Sequence, residues 1–458
     1  MRCGYFHVWM TPDEFSVVRQ RLEAFAADVF APLARSDQRA KGVTYLRGLL
    51  LDGRRKSMQP MAERLGVDHQ GLQQFVTTST WDTMAVRTRL AALAVELIDP
   101  DAWVFDDTGF PKDGGSSPGV ARQYSGTLGK VANCQIGVSV HAVTDAASCP
   151  LDWRLFLPES WDPVKAGPAA VKAANAKRRK TLTNAPRAAA AAEPAEVDVE
   201  EIAAAATEAA RQRRRKSAIP DSERHRPKWK LAIEMLDRLA EHGLRPPLAA
   251  ADSGYGDNSQ FRAALDERGI VYSVQVKGET LAHPADAAPA PRIWSGQGRP
   301  PASTAPVYPD DPVSLAEHVT TAGRDAAVTV TWREGSKGTL RSKFVFLRIR
   351  PAGHRIPRAP DGSLPERWLI AEWPDTEDEP VTYWLTSQPA DTSPTDLIRY
   401  AKIRWRIEHD YRELKTGLGL DHFEGRTFTG WHRHVTLVTA AHLFITTLRL
   451  NPKAAAPA

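Results

Sequence analysis

The first hundred residues repeat apolar positions with the spacing of an α-helix. The segment Thr11-Pro12-Asp13-Glu14 supplies a capping hydroxyl, a proline and an acid at the positions that a helix start favours. The apolar residues that follow recur every three or four positions, as on one helical face: Phe15, Val18, Leu22, Phe25 and Val29. The pattern predicts an α-helical N-terminal domain over residues 1–100.

A shorter helical pair is predicted within this domain. Met58–Leu65 and Asp68–Val76 have helical spacing and flank a turn at Gly66, with Asp68 placed to cap the second helix. The apolar side of that second helix is formed by Leu72, Phe75 and Val76. Two short helices around a glycine are typical of a helix-turn-helix DNA-binding unit and also of a plain structural hairpin. The pattern leaves both interpretations open.

From residue 101 the pattern changes to strands. Ala102–Phe105 is an apolar run that ends in Asp106 and Asp107, and Val131–Val143 and Leu151–Leu157 predict two more strands of an antiparallel meander. Helices over about 228–242 and 258–268 then alternate with two further strands, Leu248–Asp252 and Ile270–Val276. We expect an α/β fold with a mixed sheet and flanking helices.

Two segments interrupt this core. Residues 165–216 are alanine-rich with basic ends, which predicts a surface insertion that is partly helical or disordered. Residues 278–390 are rich in proline, glycine and threonine with short β-runs, which predicts a β-rich insertion subdomain. A long helix from Ser393 to about Thr416 and a last apolar helix, Val435–Leu448, complete the core. The predicted divisions are 1–100, 101–277, 278–390, 391–450 and a tail at 451–458.

The composition is that of a globular protein. Of 458 residues, 42% are hydrophobic and 25% are charged. The sequence has no run of 18 apolar residues, so no membrane span is expected, and its start lacks the layout of a signal peptide. Its three cysteines form no CxxC pair, which favours a reducing cytoplasm.

The charge distribution says more than the net charge of +5. Basic residues cluster at Arg54–Lys56, Lys177–Lys180, Arg211–Lys216 and Arg399–Arg406. Clustered cations are typical of proteins that bind a phosphate backbone, and equally of solvated helix faces.

Three acids occupy positions that suit metal chemistry. Asp106 or Asp107 is predicted at the end of the first strand, Asp252 at the end of the fourth, and Glu408 in the long C-terminal helix. Carboxylate oxygens are the ligands that Mg²⁺ and Mn²⁺ prefer. Two such ions about 4 Å apart activate an attacking oxygen and stabilise the leaving oxygen of a phosphodiester.

The helix with Glu408 adds cations to the candidate site. Its spacing places four polar residues on one face: Arg404, Glu408, Arg412 and Lys415. A metal-binding acid flanked by phosphate-binding cations is what a DNA-cleaving site requires, although the same spacing also fits surface ion pairs. Asp410 and Glu413 point away from Glu408 and are poorer candidates.

Three segments resemble the bacterial insertion-sequence transposases of the DDE superfamily, most closely the insertion-sequence group seven-oh-one. They are Asp106–His141 (DDTGFPKDGGSSPGVARQYSGTLGKVANCQIGVSVH), Ala251–Asp257 (ADSGYGD) and Arg404–Arg426 (RWRIEHDYRELKTGLGLDHFEGR). The resemblance covers roughly residues 10–160 and 225–450. It implies an RNase-H-like catalytic core in which an aspartate of the first strand, Asp252 and Glu408 hold two Mg²⁺ or Mn²⁺ ions.

Two details of the family pattern bear on the site. The signature Tyr-x2-Arg-x3-Glu-x6-Lys is matched by Arg404, Glu408 and Lys415, but Ala401 stands in the tyrosine position. Related sites read Asp-x-Thr/Ser, which selects Asp106, whereas other transposases use the aspartate directly before the threonine, which selects Asp107. We prefer Asp106 as the metal ligand and keep Asp107 as a catalytic candidate.

The resemblance implies cleavage at transposon ends and strand transfer into target DNA. The expected partners are double-stranded DNA and a second copy of the chain, and the expected location is the cytoplasm, at the nucleoid. The hairpin from Gln123 to Lys130 is expected to lie against DNA, with Arg122 and Lys130 among its contacts. Two alternatives stay open: a catalytically silent DNA-binding regulator derived from a transposase, and a stand-alone RNase-H-like nuclease.

Overall fold

The N-terminal part of the chain is helical. The computed structural model describes residues 11–126, 129–184, 198–291, 305–335, 338–353 and 356–451. Within these, the first helices are α1 (Pro12–Val29), α2 (Ser36–Leu50), α3 (Met58–Leu65), α4 (His69–Thr77) and α5 (Thr83–Ile98). The Thr11 hydroxyl accepts from the Glu14 amide at 3.3 Å and the Glu14 carboxylate accepts from the Thr11 amide at 2.8 Å. This capping box confirms the predicted helix start.

The short helical pair also has the predicted form. Gly66 ends α3 with a φ of +67°, a left-handed conformation that favours glycine. The Asp68 carboxylate caps α4 by accepting from the Gln70 amide at 3.1 Å. The predicted apolar side of α4, Leu72, Phe75 and Val76, is buried.

The strands of the described residues form one sheet. They are β1 (Ala102–Pro111), β2 (Ala121–Ser125), β3 (Lys130–Val143), β4 (Ser148–Leu155), β5 (Ala249–Ala251), β6 (Tyr272–Val276), β7 (Leu281–Pro284), β8 (Val313–Ser314), β9 (Val328–Gly335), β10 (Gly338–Pro351), β11 (Arg367–Glu372) and β12 (Thr382–Thr386). The order is β2-β3-β1-β5-β6-β12-β11-β10-β7-β8, with β4 beside β3 and β9 beside β10.

The middle of the sheet confirms the predicted RNase-H-like fold. β4, β3 and β1 are antiparallel neighbours, and β1, β5 and β6 are parallel. The strands of the predicted β-rich insertion continue the same sheet, because β12 pairs antiparallel with β6. The proposed domain boundaries stay a prediction.

The first strand is longer than its apolar run predicts. Asp106 and Asp107 do not end β1 but lie in its middle, because β3 pairs with it from Ala102 through to Pro111. The sequence-based boundary was therefore wrong. Antiparallel pairing satisfies the backbone of the polar residues after the apolar run, so the strand continues through them.

The remaining helices cover the sheet and form the insertions. They are α6 (Ala166–Asn184), α7 (Val199–Lys216), α8 (Lys228–Glu241), α9 (Ser253–Gly256), α10 (Ser259–Glu267), α11 (Leu315–Ala322), α12 (Pro394–Lys402), α13 (Trp405–Thr416) and α14 (Phe428–Leu450). None of the described helices combines the length and apolarity needed to cross a bilayer.

The predicted long helix from 393 to 416 is two helices, so that prediction was wrong. A turn at residues 403–404 separates α12 from α13. Leu397 and Ile398 of α12 pack with the strands of the insertion, whereas Ile407 and Leu414 of α13 pack in the main core. The two halves bury their apolar sides in different clusters, and the chain bends between them.

The alanine-rich segment was predicted to be partly helical or disordered, and its described parts are helical. Hydrogen bonds of Arg214 anchor the end of α7. Arg214 of α7 is buried, and its guanidinium donates to the carbonyls of Pro220 and Glu223 at 2.7 Å each. Residues 185–197 lie outside the described residues.

The helix α14 joins the N-terminal helices to the sheet. It packs against α2, α4 and α5 on one side and against β4 on the other. The Tyr45 hydroxyl bonds to His434 Nδ1 at 2.9 Å, and Arg87 of α5 donates to Thr436 of α14 and to Asp152 of β4. One continuous hydrophobic core therefore includes both parts of the chain.

Candidate active site

Two of the predicted acids lie side by side where the pairing of β1 with β5 ends. Phe105 of β1 is the parallel register partner of Ala251, the last residue of β5. Asp106 is the next residue of β1, where it pairs only with Ser139 of β3, and Asp252 directly follows β5, so both come after the last row that pairs β1 with β5. The Asp252 carboxylate also caps the short helix α9 by accepting from the Gly254 amide at 3.0 Å.

Arg404 connects the first acid to the third. Its Nη1 donates to Asp106 Oδ2 at 2.9 Å and its Nη2 donates to Glu408 Oε1 at 3.0 Å. Glu408 lies in the first turn of α13, and its side chain is 60% exposed, against 11% for Asp106. The predicted cluster of Asp106, Arg404 and Glu408 is therefore brought together, at the entrance to a partly buried site.

Asp107 faces the other side of the sheet. Neighbouring residues of a strand point to opposite faces, and Asp107 pairs with Lys228 of α8 at 2.9 Å. Of the two aspartates that the sequence left open, Asp106 is the one that shares a face with α13.

Burial and crowding change the ionisation of the acids. Burial, with the charges of Asp252 and Asp107, raises the pKa of Asp106 to about 7, although Arg404 opposes the rise. Burial and the charge of Asp107 also raise the pKa of Asp252, again against the effect of Arg404. Asp106 and Asp252 lie close together and both resist ionisation. Added positive charge would therefore stabilise their ionised forms.

The donor chemistry of this site fits a hard divalent cation. Asp106, Asp252 and Glu408 offer only carboxylate oxygens, and the buried Tyr255 hydroxyl beside the aspartates finds no hydrogen-bond partner within the described residues. As the side chains stand, no three His, Cys, Asp or Glu residues of the described chain are grouped closely enough to hold an ion. Binding by all three acids therefore requires Arg404 to give up its bonds to Asp106 and Glu408.

The predicted DNA-binding residues divide into exposed and internal ones. Arg412 of α13 is exposed, as are Arg122 and Lys130 on the β2–β3 hairpin. Lys415 is buried instead, and its amine donates to the Gly109 carbonyl of β1 at 2.7 Å. Lys415 was predicted to bind phosphate from the same helical face as Glu408, but its burial and its bond to β1 do not fit that role, because the packing of α13 turns the last turn of the helix toward the sheet.

The β2–β3 hairpin carries an apolar pair that the sequence analysis did not single out. Tyr124 and Val131 are direct cross-strand partners, and they are 62% and 53% exposed. The exposed cations Arg122 and Lys130 lie beside them. The available signal was the alternation of side chains along β2. Gln123 and the buried Ser125 share one face of the strand, so Tyr124 lies on the other, outer face of a two-stranded hairpin.

Lys228 was also missed. It precedes the apolar stripe of α8 and carries no local mark of its role, because its partner Asp107 is distant in the sequence. Glu413 and Asp410, set aside from the sequence, are indeed occupied elsewhere. Glu413 pairs with Arg449, and Asp410 is buried and bonds to His141.

Comparisons with known proteins give the family of the chain. Residues 28–339 match the family described as DDE superfamily endonuclease, a range that contains Asp106 and Asp252 and ends before Glu408. The chain is also similar to the "Probable transposase for insertion sequence element IS701" of Microchaete diplosiphon. The two are 22% identical over 382 residues, which is 82% of this chain and 74% of the relative. The family match spans more than half of the chain, and the protein therefore belongs to the DDE superfamily endonucleases.

Proposed function

We propose that this endonuclease is a transposase that nicks the ends of an insertion sequence and transfers the freed strand into target DNA. The observation that carries the proposal is the convergence of Asp106, Asp252 and the Arg404–Glu408 pair where the pairing of β1 with β5 ends in an RNase-H-like sheet. The name of the relative in Microchaete diplosiphon supports the choice of transposition.

In this proposal Asp106, Asp252 and Glu408 hold two Mg²⁺ or Mn²⁺ ions. Such a pair of ions activates the attacking water or 3′-hydroxyl and stabilises the leaving oxygen. The buried Asp106 and the half-buried Asp252 form the fixed part of the site, and the exposed Glu408 completes it from α13. Asp107 is a supporting residue that Lys228 holds on the other face.

Arg404 has two possible partners in this scheme, the acids and the DNA. Its guanidinium now neutralises Asp106 and Glu408. A DNA phosphate offers the same bidentate acceptor geometry as a carboxylate. We expect DNA to draw Arg404 to a phosphate and so to free both acids for the ions.

The exposed cations outline the DNA surface. Arg412 continues the exposed side of α13 beyond Glu408, and neither it nor Arg122 or Lys130 forms an ion pair within the described residues. These side chains are available to replace the counterions of a phosphate backbone. Lys415 is left out because its amine supports β1.

The helix pair α3–α4 is proposed to bind the transposon end. The outer side of α4 presents polar residues of the type that contact base edges: His69, Gln70, Gln73 and Gln74. Joining two ends requires two catalytic sites, so we expect a homodimer on DNA. Since the substrate would be chromosomal DNA, we expect the protein to work in the cytoplasm, at the nucleoid.

Purified full-length protein with end-containing duplex DNA and Mg²⁺ tests the proposal. Nicking followed by joining of the 3′-hydroxyl to a second duplex supports a transposase. Nicking without joining supports the stand-alone nuclease, and specific binding without any nicking supports the silent regulator. The intact set of three acids disfavours the regulator.

A further inference from the structure

A sealed chain of hydrogen bonds joins α13 to the sheet. His141 Nδ1 lies 3.0 Å from Asp410 Oδ2, and His141 Nε2 lies 3.0 Å from the Ser139 hydroxyl. The Ser139 hydroxyl lies 2.7 Å from the Tyr411 hydroxyl, and Ser148 donates to Asp410 Oδ1 at 2.6 Å. The chain therefore ties two neighbouring residues of α13 to β3 and β4.

One assignment of hydrogens satisfies every member of the chain. Tyr411 donates to Ser139, Ser139 donates to His141 Nε2, and His141 Nδ1 donates to the Asp410 carboxylate. This requires a neutral imidazole and an ionised carboxylate. Burial lowers the pKa of His141; burial opposes ionisation of Asp410, but the bond from His141 and the nearby His442 hold its pKa below the usual value.

Ser139, His141 and Asp410 are connected as in a Ser-His-Asp catalytic triad, but the serine is closed to substrate. Ser139 and His141 are 0% exposed and Asp410 is 1% exposed, so no substrate reaches the serine. A buried network of this kind is strong only when every member has a partner, and here each one does. Its function is therefore to fix geometry rather than to react.

Several members of this hydrogen-bond chain lie next to the candidate site. Ser139 is the direct register partner of Asp106 across β3 and β1. Asp410 and Tyr411 occupy the buried side of α13, whereas Glu408 is on the exposed side. Within the described residues Glu408 has one ion pair, to Arg404. The direction of the Glu408 side chain therefore depends on the rotation of α13.

We propose that Asp410, His141, Ser139 and Tyr411 are positioning residues that set the rotation of α13 and thereby aim Glu408 and Arg404 at Asp106. The inference rests on the proposed function, because it assigns a purpose to the placement of the third acid. Outer contacts of this type orient metal-binding side chains, and their loss lowers metal affinity about ten-fold or more.

Tyr411→Phe removes one hydroxyl from the chain and keeps the ring, which packs on His141. Tyr45→Phe is the matched control, because it also removes one buried, hydrogen-bonded tyrosine hydroxyl, here bonded to His434, but on α2 and away from α13. Ser139→Ala is a second variant that breaks the same chain from the strand side. Each is compared with the full-length wild type by thermal unfolding, Mn²⁺ calorimetry in the presence of saturating duplex DNA, and nicking kinetics.

We expect Tyr411→Phe and Ser139→Ala to weaken Mn²⁺ binding about ten-fold and to lower kcat with an unchanged KM for DNA. Tyr45→Phe should lower the melting temperature by a similar amount while Mn²⁺ affinity and kcat stay at the wild-type values. If Tyr411→Phe loses stability but binds Mn²⁺ and nicks like the wild type, the chain is merely structural and the inference is wrong. A wild type that binds no Mn²⁺ even in the presence of duplex DNA would instead overturn the proposed metal site, and this inference with it.

Discussion

Arg404 donates to Asp106 at 2.9 Å, across 298 positions of the sequence. From the sequence, these residues are expected to have different roles, Arg404 on a DNA phosphate and Asp106 on a metal ion. Their contact means that the two roles compete, because the guanidinium that binds Asp106 and Glu408 is the one expected to bind DNA. DNA and metal should therefore promote each other's binding.

Glu408→Gln is expected to reduce nicking in Mg²⁺ to on the order of one hundredth of the wild-type rate or less, with end binding nearly intact. The amide keeps the shape but loses the charge that holds a divalent ion. The control is Glu267→Gln, an exposed glutamate of α10 with a side chain 64% exposed. Wild-type nicking by Glu408→Gln would remove this residue from the site.

Asp106→Asn and Asp107→Asn should separate the two aspartates of β1. Asp106→Asn is expected to abolish nicking, since Asp106 shares a face with Arg404 and Glu408. Asp107→Asn should keep nicking within a few-fold and cost about 1 kcal/mol of unfolding free energy, because it weakens the contact with Lys228. The opposite pattern of rates would assign the metal to Asp107.

The β2–β3 hairpin is expected to contact DNA through two kinds of interaction. Arg122→Ala should weaken binding and reduce the slope of log affinity against log salt by about 0.9, the value for one phosphate contact. Tyr124→Ala should weaken binding with the slope unchanged, because an aromatic contact releases no counterion. Val164→Ala, at another exposed apolar side chain, is the control; equal affinities for Tyr124→Ala and this control would place DNA elsewhere.

Acid should destabilise the fold through His434. Burial lowers the pKa of His434 to about 4, and its ring accepts from Tyr45 and bonds to the Gly419 carbonyl. Between pH of about 6.5 and 4 the unfolded chain takes up a proton that the folded chain does not, so stability falls as pH falls, by about 3 kcal/mol in total. Denaturant titrations at several pH values should show a shallower dependence in His434→Gln.

The exposed His69→Gln serves as the control for this measurement. Its side chain is about half exposed, so its replacement should keep the wild-type dependence on pH. A His434→Gln variant that follows the wild-type curve over this range would show that His434 is not the group that titrates.

Most of the alanine-rich insert should be dispensable for nicking. A Gly/Ser linker in place of residues 168–206 keeps Arg213 and Arg214 and should leave nicking within a few-fold of the parent. Arg214→Ala should cost about 2 kcal/mol, because the buried guanidinium and its hydrogen bonds to the carbonyls of Pro220 and Glu223 are lost. Loss of nicking by a folded linker variant at saturating DNA would mean that the insert helps to build the site.

Local features were predictable from the sequence because local interactions determine them. The capping box at Thr11, the turn at Gly66 and the cap at Asp68 depend on residues within a few positions of one another. The acids Asp106, Asp252 and Glu408 were identified from their places in predicted elements and from family resemblance.

The failures share a cause, which is contact between distant segments. The length of β1 depends on β3, the break at Ile403 depends on two separate apolar clusters, and the burial of Lys415 depends on β1. The pairing of Asp107 with Lys228 likewise follows only from the fold. Periodicity along the chain carries no information about such partners.

Because α14 is buried among α2, α4 and α5, the N-terminal helices are held at a fixed distance from the sheet. Only three residues separate α5 from β1, and one core runs through both parts. If α4 reads the transposon end, the distance from the recognised bases to the cut phosphate is set by protein packing rather than by a linker. Inserting even half a helical turn of DNA between them would carry the scissile phosphate to the wrong side of the duplex, out of reach of the acids.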